Sequence, residues 1–180
     1  MRLFVALELP DVARDGLVPW QARALQGLDG VRAIAPADLH ATLCFLGWRS
    51  GDEIGAIRDA CGVLAAYAAP ELRVGEATWL PPRQPRVLAV ELQDVTGALA
   101  REQAILSEVL AAGGWYRPEK RPYLAHVTVA RLGRRARVRR RPLPDPPPLG
   151  FRATQVTLYR SRLLRSGARY DPLGSVDLAG

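Results

Sequence analysis

The chain has 180 residues, 48% of them apolar and 24% charged, a balance that fits a soluble globular domain with room for a substantial core. No apolar run approaches the roughly 18 residues of a membrane-spanning helix, and the opening apolar run is too short for a secretory leader. The net charge of +7 is unevenly spread: residues 117–141 carry ten Arg or Lys against one acid, Glu119, and the rest of the chain sums to −2.

Residues 2–9 (RLFVALEL) predict a strand, ended by Pro10. Asp11 is placed to cap a helix running to about Leu28, with Val12, Leu17, Leu25 and Leu28 inward and Pro19 kinking or interrupting it. Residues 39–47 (LHATLCFLG) predict a second strand. A helix over 52–68 follows, with Ile54, Ile57, Cys61, Leu64 and Ala68 at helical spacing, then a third strand over 72–80. Pro81, Pro82 and Pro85 mark a turn.

The order then repeats. Residues 86–92 (RVLAVEL) echo the first strand, 95–112 predict a helix with Leu99, Leu106, Val109 and Leu110 inward, and 124–133 (LAHVTVARLG) echo the second strand. Residues 150–162 loosely echo the third, and a final strand pair is expected over 154–164 and 169–178. The offsets are nearly equal, 84 residues between Arg2 and Arg86 and 86 between His40 and His126, which points to a duplicated β-α-β unit. The expectation is an α+β chain of two lobes, about 1–82 and 83–180, with the last strands able to cross between them. Residues 134–148 are rich in arginine and proline and read as a loop.

The two histidines carry the chemistry. Each opens the pattern His-x-Thr-apolar: His40-Ala41-Thr42-Leu43 and His126-Val127-Thr128-Val129. With six threonines in 180 residues, chance would place Thr at +2 from both in about 1 case in 900. Positions i and i+2 of a strand share a face, so two such strands side by side gather two imidazoles and two hydroxyls. That set suits a phosphodiester: one neutral imidazole takes a proton, one imidazolium gives a proton, and the hydroxyls hold the non-bridging oxygens. Polar residues merely satisfied within strands are the plain alternative, and the repeat-equivalent placing counts against it. A metal site lacks the acidic or cysteine ligands it would need. Cys44 and Cys61 read as buried free thiols of a reducing cytoplasm.

With its paired HxTx motifs, RLFVALELP, PRVLAVEL, the block YRPEKRPYLAHVTVARLG, and a tail with Ser161, Gly167 and Tyr170, the chain resembles over nearly its whole length the two-histidine (2H) phosphoesterases. Within them it is similar to the LigT-like RNA 2′,3′-cyclic phosphodiesterases, also called 2′-5′ RNA ligases. The resemblance implies two antiparallel sheets lining a cleft with helices outside, and conversion of an RNA 2′,3′-cyclic phosphate end to a 2′-phosphate without metal or cofactor. Reversible 2′-5′ ligation is a further implied reaction. It makes His40 the proton donor and His126 the proton acceptor, an assignment that the symmetry of the repeat leaves open. Thr42, Thr128 and Arg131 would bind the phosphate. Arg131 is five residues after His126 and faces the site only if the strand bulges or ends before it. Phe45 holds the equivalent place in the first repeat and reads as core or as a base platform. Phe4, Trp79 and Tyr123 are further aromatic candidates.

The basic run assigns Arg134, Arg135, Arg137, Arg139, Arg140 and Arg141 to RNA phosphates, a solvated loop being the plain alternative. The expected partner is RNA with a 2′,3′-cyclic phosphate end, tRNA-derived RNA included, bound by a monomer away from membranes. Two other readings stand beside this one: the same chemistry on a small cyclic nucleotide or ADP-ribose cyclic phosphate, and a non-catalytic RNA-binding module.

Overall fold

A computed structural model describes residues 1–133, 142–164 and 167–180. Within them the chain order is β1 (Arg2–Glu8), α1 (Asp11–Leu25), β2 (Val31–Ala33), β3 (His40–Trp48), α2 (Ile54–Cys61), β4 (Glu71–Leu80), β5 (Val87–Asp94), α3 (Ala98–Ala112), β6 (His126–Leu132), β7 (Gly150–Arg152), β8 (Gln155–Leu164) and β9 (Gly167–Asp177). The pairings between these described strands are antiparallel, and the fold is α+β. The strands run β7-β4-β5-β6-β3-β1-β8-β9, with β2 added against β6. The two expected sheets are joined at one seam, where β3 and β6 share the single residue pair Ala41–Val127.

The halves of the sheet are not the halves of the chain. β4 lies in the first 82 residues yet pairs with β5, and β8 pairs with β1. Each repeat thus sends its third strand across to the other half, so a lobe division near residue 82 does not divide the sheet. α1 packs on β2 and β7, while α3 packs on β3 and β5. A single hydrophobic core runs behind both halves, from Leu3 and Leu7 through Leu43 and Leu106 to Val127 and Phe151.

Helix α1 departs from its sequence expectation in three ways. Pro10 holds the N-cap position, and Asp11 sits inside the first turn, ion-paired with Arg14 at 3.0 Å rather than capping. The helix continues through the exposed Pro19 without interruption. Its inward stripe is Ala13, Leu17, Trp20, Gln21 and Ala24, and Val12 is 56% exposed. Trp20 sets the inward side, because its ring is fully buried and its Nε1–H donates to the Pro144 carbonyl at 2.9 Å. The helix expected over 52–68 divides into α2 and a short 3-10 turn, Gly62–Ala66, and Ala68 is exposed. Cys44 and Cys61 are free and buried, and burial pushes each thiol up to about 12.

Candidate active site

The site is built on the seam. Ala41 and Val127 face each other there, both fully buried in the core. Alternation along each strand then turns His40, Thr42, His126 and Thr128 to the opposite face. Because the strands are antiparallel, this register sets His40 across from Thr128 and Thr42 across from His126. The sequence expectation of two imidazoles and two hydroxyls on one surface is what the seam supplies.

Both imidazoles are oriented by the same local device. His40 Nδ1 lies 2.7 Å from the Asp38 carbonyl, and His126 Nδ1 lies 2.8 Å from the Leu124 carbonyl, in each case two residues upstream. A carbonyl only accepts, so Nδ1 carries the hydrogen and Nε2 is the nitrogen left for chemistry. Beyond this shared device the two surroundings differ. The His40 ring stacks on Phe4 at 5.0 Å between centroids and takes the edge of Tyr170 at 5.2 Å. Tyr159 stacks on Phe4 at 5.3 Å and lies 6.3 Å from the His40 ring, and its hydroxyl donates to Glu8. Burial in this aromatic nest drives the His40 pKa down to about 4, opposed by the Asp38 carbonyl and assisted by the positive charges of Arg131 and His126.

Arg131 reaches the site through a β-bulge. In the pairing of β5 with β6, Leu88 faces Ala130 and Ala89 faces Thr128, so Val129 is an extra residue. Val129 and Ala130 are both buried, and the parity of the strand flips after them. Arg131 therefore emerges on the histidine face, where its Nη2 donates to the Tyr170 hydroxyl at 3.4 Å. The first repeat has the same bulge in the same place. Val5 faces Cys44 and Ala6 faces Thr42, leaving Leu43 as the extra residue. Phe45 is turned outward by it and is 47% exposed, with the Arg2 guanidinium 4.8 Å over its ring. The core reading of Phe45 is thereby corrected, since a regular strand would have buried it and the bulge does not.

The remaining sequence candidates fall in several places. Tyr123 stands in the wall of the cleft, and its hydroxyl donates to the Thr42 carbonyl at 3.1 Å, so it braces the motif strand. Phe4 is 4% exposed and packs under His40, which leaves no face for a base. Trp79 lines a separate cavity with Gly75 and Pro144. Arg134, Arg135, Arg137, Arg139, Arg140 and Arg141 lie outside the described residues. Sequence reasoning missed Tyr159 and assigned no role to Tyr170, although both stand beside His40. It also missed Gln21 and Gln103. Gln21, 5% exposed, gives its side-chain amide to the Val129 carbonyl at 2.6 Å and the Ile34 carbonyl at 2.9 Å. Gln103 donates to the Leu43 carbonyl at 3.3 Å. A glutamine on an otherwise apolar helix stripe was the available signal for Gln21.

A cleft of ≈ 640 Å³ opens beside the seam, with Thr42, Phe45, Val87, Tyr123 and His126 in its walls. That volume suits a nucleotide-sized ligand. Among the described residues, no group of three or more His, Cys, Asp or Glu is placed to hold a metal ion, and no helix is long and apolar enough to cross a membrane.

No protein-family model matches the chain. Three curated relatives named RNA 2′,3′-cyclic phosphodiesterase do. The protein of Escherichia coli K12 is 30% identical over 182 residues, covering 96% of this chain and 93% of its own. That of Thermus thermophilus is 30% identical over 193 residues, covering 100% and 91%. That of Archaeoglobus fulgidus is 30% identical over 135 residues, covering 75% and 74%. Among solved structures, TT0787 of Thermus thermophilus superposes with a TM-score of 0.86 at 28% identity, covering 99% of this chain and 98% of that one. E. coli LigT complexed with 3′-AMP superposes with a TM-score of 0.81 at 27% identity and the same coverage. Likeness of this extent, in sequence and in fold, places the chain in the RNA 2′,3′-cyclic phosphodiesterase family, the LigT-like branch of the two-histidine phosphoesterases.

Proposed function

We propose that this chain hydrolyses 2′,3′-cyclic phosphates at RNA ends to 2′-phosphates, with His40 and His126 as the acid–base pair and with no metal or cofactor. One observation carries the reading: two repeat-equivalent strands meet at Ala41–Val127 and turn both His-Thr pairs to one face. Water attacks phosphorus while His126 Nε2 takes its proton. The P–O3′ bond breaks, and His40 Nε2 gives a proton to the departing 3′-oxygen. Thr42, Thr128 and Arg131 hold the non-bridging oxygens and keep attack in line. His40, held down at about 4, is neutral at pH 7 in the unliganded protein. The phosphate charge, brought into the same pocket, raises that pKa, so the proton arrives with the substrate. With an RNA 5′-hydroxyl in place of water as the nucleophile, the same step breaks P–O3′ and joins the ends through a 2′-5′ bond, and its reverse re-forms the cyclic phosphate.

The basic run over 117–141 favours RNA, tRNA-derived ends included, over a small cyclic phosphate, because one phosphate needs no such run. Phe45 and Tyr123 line the path of the terminal nucleotide. The free thiols Cys44 and Cys61 support a reducing, cytoplasmic setting, and the site as described needs only one copy of the chain.

The test is a defined oligonucleotide 2′,3′-cyclic phosphate with product analysis. The expected product is the 2′-phosphate, formed equally well in excess chelator. His40→Ala and His126→Ala should each lower the rate by about 10²–10⁴. A 3′-phosphate product, or near wild-type turnover in either variant, defeats the assignment.

A further inference from the structure

The two motif strands carry matching bulges, and each bulge carbonyl is held by a glutamine from a helix. The Leu43 carbonyl accepts from Gln103 of α3 at 3.3 Å, and the Val129 carbonyl accepts from Gln21 of α1 at 2.6 Å. The bracing is crossed. α1 precedes the His40 strand but braces the His126 strand, and α3 precedes the His126 strand but braces the His40 strand. Gln21 is the tighter brace. Its amide spans the Val129 and Ile34 carbonyls, and Ile34 N–H donates to Val129 O at 2.9 Å, closing a small network around the extra residue.

We infer that Gln21 and Gln103 are positioning residues for the phosphodiesterase reaction, acting by holding the bulges that turn the fifth residue after each histidine onto the histidine face. The inference rests on the function proposed above. The physical argument is parity. Were the strand regular through Val129, with no bulge, the side chain of Arg131 would point to the core side, where Val127 and Val129 are fully buried. A guanidinium has no place there, so strand and bulge stand in competition between two registers. At this bulge the Val129 carbonyl accepts from two donors, Ile34 N–H at 2.9 Å and the Gln21 amide at 2.6 Å. Gln21 also binds the Ile34 carbonyl at 2.9 Å, so it clamps the bulge residue to the segment that follows β2, and a regular register that re-aims the Val129 carbonyl would lose its bond there. Its stabilising effect is therefore specific to the geometry that delivers Arg131 to Tyr170 and the histidines. In the first repeat the same logic delivers Phe45.

Gln21 touches no reacting atom, so its effect should pass through Arg131 and vanish when Arg131 is gone. The experiment is a double-mutant cycle of Gln21→Met and Arg131→Ala, read as kcat and KM on an oligonucleotide 2′,3′-cyclic phosphate, with His126→Ala as control. Gln21→Met keeps the length and apolar bulk of the side chain and removes the donor. Alone it should lower kcat/KM by about 10–100-fold, the scale of a misplaced binding group. Its division between kcat and KM should copy that of Arg131→Ala. In the Arg131→Ala background it should cost less than about 2-fold. A parallel cycle of Gln103→Met with Phe45→Ala tests the other brace, and it decides the matter if Gln21→Met fails to fold. Additive losses in the cycle, or an unchanged kcat/KM in the glutamine variant, overturn the inference. If that happens while His126→Ala is inactive, the brace falls and the catalytic reading stands. An active His126→Ala overturns both.

Discussion

Two titratable groups with shifted proton affinities give the protein opposing pH dependences, and substitution should separate them. His40 is held at about 4 against an ordinary 6.5, chiefly by burial. Between those values the unfolded chain binds a proton that the folded chain refuses, so this group's contribution makes stability fall as pH drops from about 6.5 toward 4. Glu102 is the reverse case. It is 1% exposed with Oε2 lacking a partner, and burial, then the nearby charge of Asp94, raises it from 4.5 to about 7. The folded chain binds the extra proton there, so its contribution makes stability fall as pH rises from about 4.5 to 7. At about 1.4 kcal/mol per unit, each group is worth about 3 kcal/mol at the far end of its window. The two nearly cancel in the wild type. The assay is urea unfolding from pH 4.5 to 8 with linear extrapolation. His40→Gln should become more stable than wild type as pH falls below 6.5, by about 3 kcal/mol near pH 4.5. Glu102→Gln should be more stable than wild type by a similar amount at pH 8 and equal to it near pH 4.5. A His40→Gln curve that stays parallel to wild type across the acid window would refute a His40 held neutral by its surroundings.

Phe45→Ala separates a cleft platform from a core residue. The 47% exposed ring predicts a loss of unfolding free energy below about 1 kcal/mol together with a raised KM for an oligonucleotide, where a core phenylalanine would cost about 3–5 kcal/mol. An equal KM with a large stability loss would return Phe45 to the core. Changing Arg139, Arg140 and Arg141 to Ser should flatten the salt dependence of long-RNA binding, by about 0.7 in log–log slope for each phosphate no longer neutralised, and leave a cyclic mononucleotide nearly untouched. Equal effects on both substrates would mean that the basic run shapes the site itself.

The site was more legible in the sequence than the fold that holds it. Two HxT patterns in repeat-equivalent strands located all four seam residues, because strand parity is a rigid rule. The parity flip that brings in Arg131 was readable only as a condition, since nothing in HVTVAR marks Val129 as the extra residue. The signal lay elsewhere, in Gln21 and its bond to Val129 across 108 positions of sequence. The same absence of local marks hid the outward turn of Phe45. The last strands were read as able to cross between lobes, but the matching exchange of β4 was illegible for a related reason. Periodicity marks 72–80 as a strand but says nothing of its neighbour. Pro19 misled because the rule that proline breaks a helix counts one missing hydrogen bond and one clash. It leaves out the burial of Leu17, Trp20 and Ala24 that carries α1 past it.

A duplicated site starts with two equal imidazoles, and acid–base catalysis needs two unequal ones. The backbone devices are indeed equal: each Nδ1 is tied to the carbonyl two residues upstream, and each motif carries its bulge at the same offset. What differs is contributed by the crossed strands. Tyr159 and Tyr170 come from β8 and β9, elements of the second repeat that pair beside β1. They close over His40, whereas the exchanged strand on the other side, β4, adds no aromatic ring against His126 among the described residues. The bulge adds a second inequality, because the +5 residue is a cation after His126 and a phenyl ring after His40. Both differences act on His40 in the same direction, burial and the Arg131 charge each disfavouring its protonated form. An anionic phosphate placed among these groups cancels the Arg131 charge at the moment a donor is wanted. On the proposed mechanism, strand exchange and bulge together convert a symmetric pair of histidines into one whose proton affinity responds to substrate and one left at the open side of the cleft, the division of labour that hydrolysis of a cyclic phosphodiester requires.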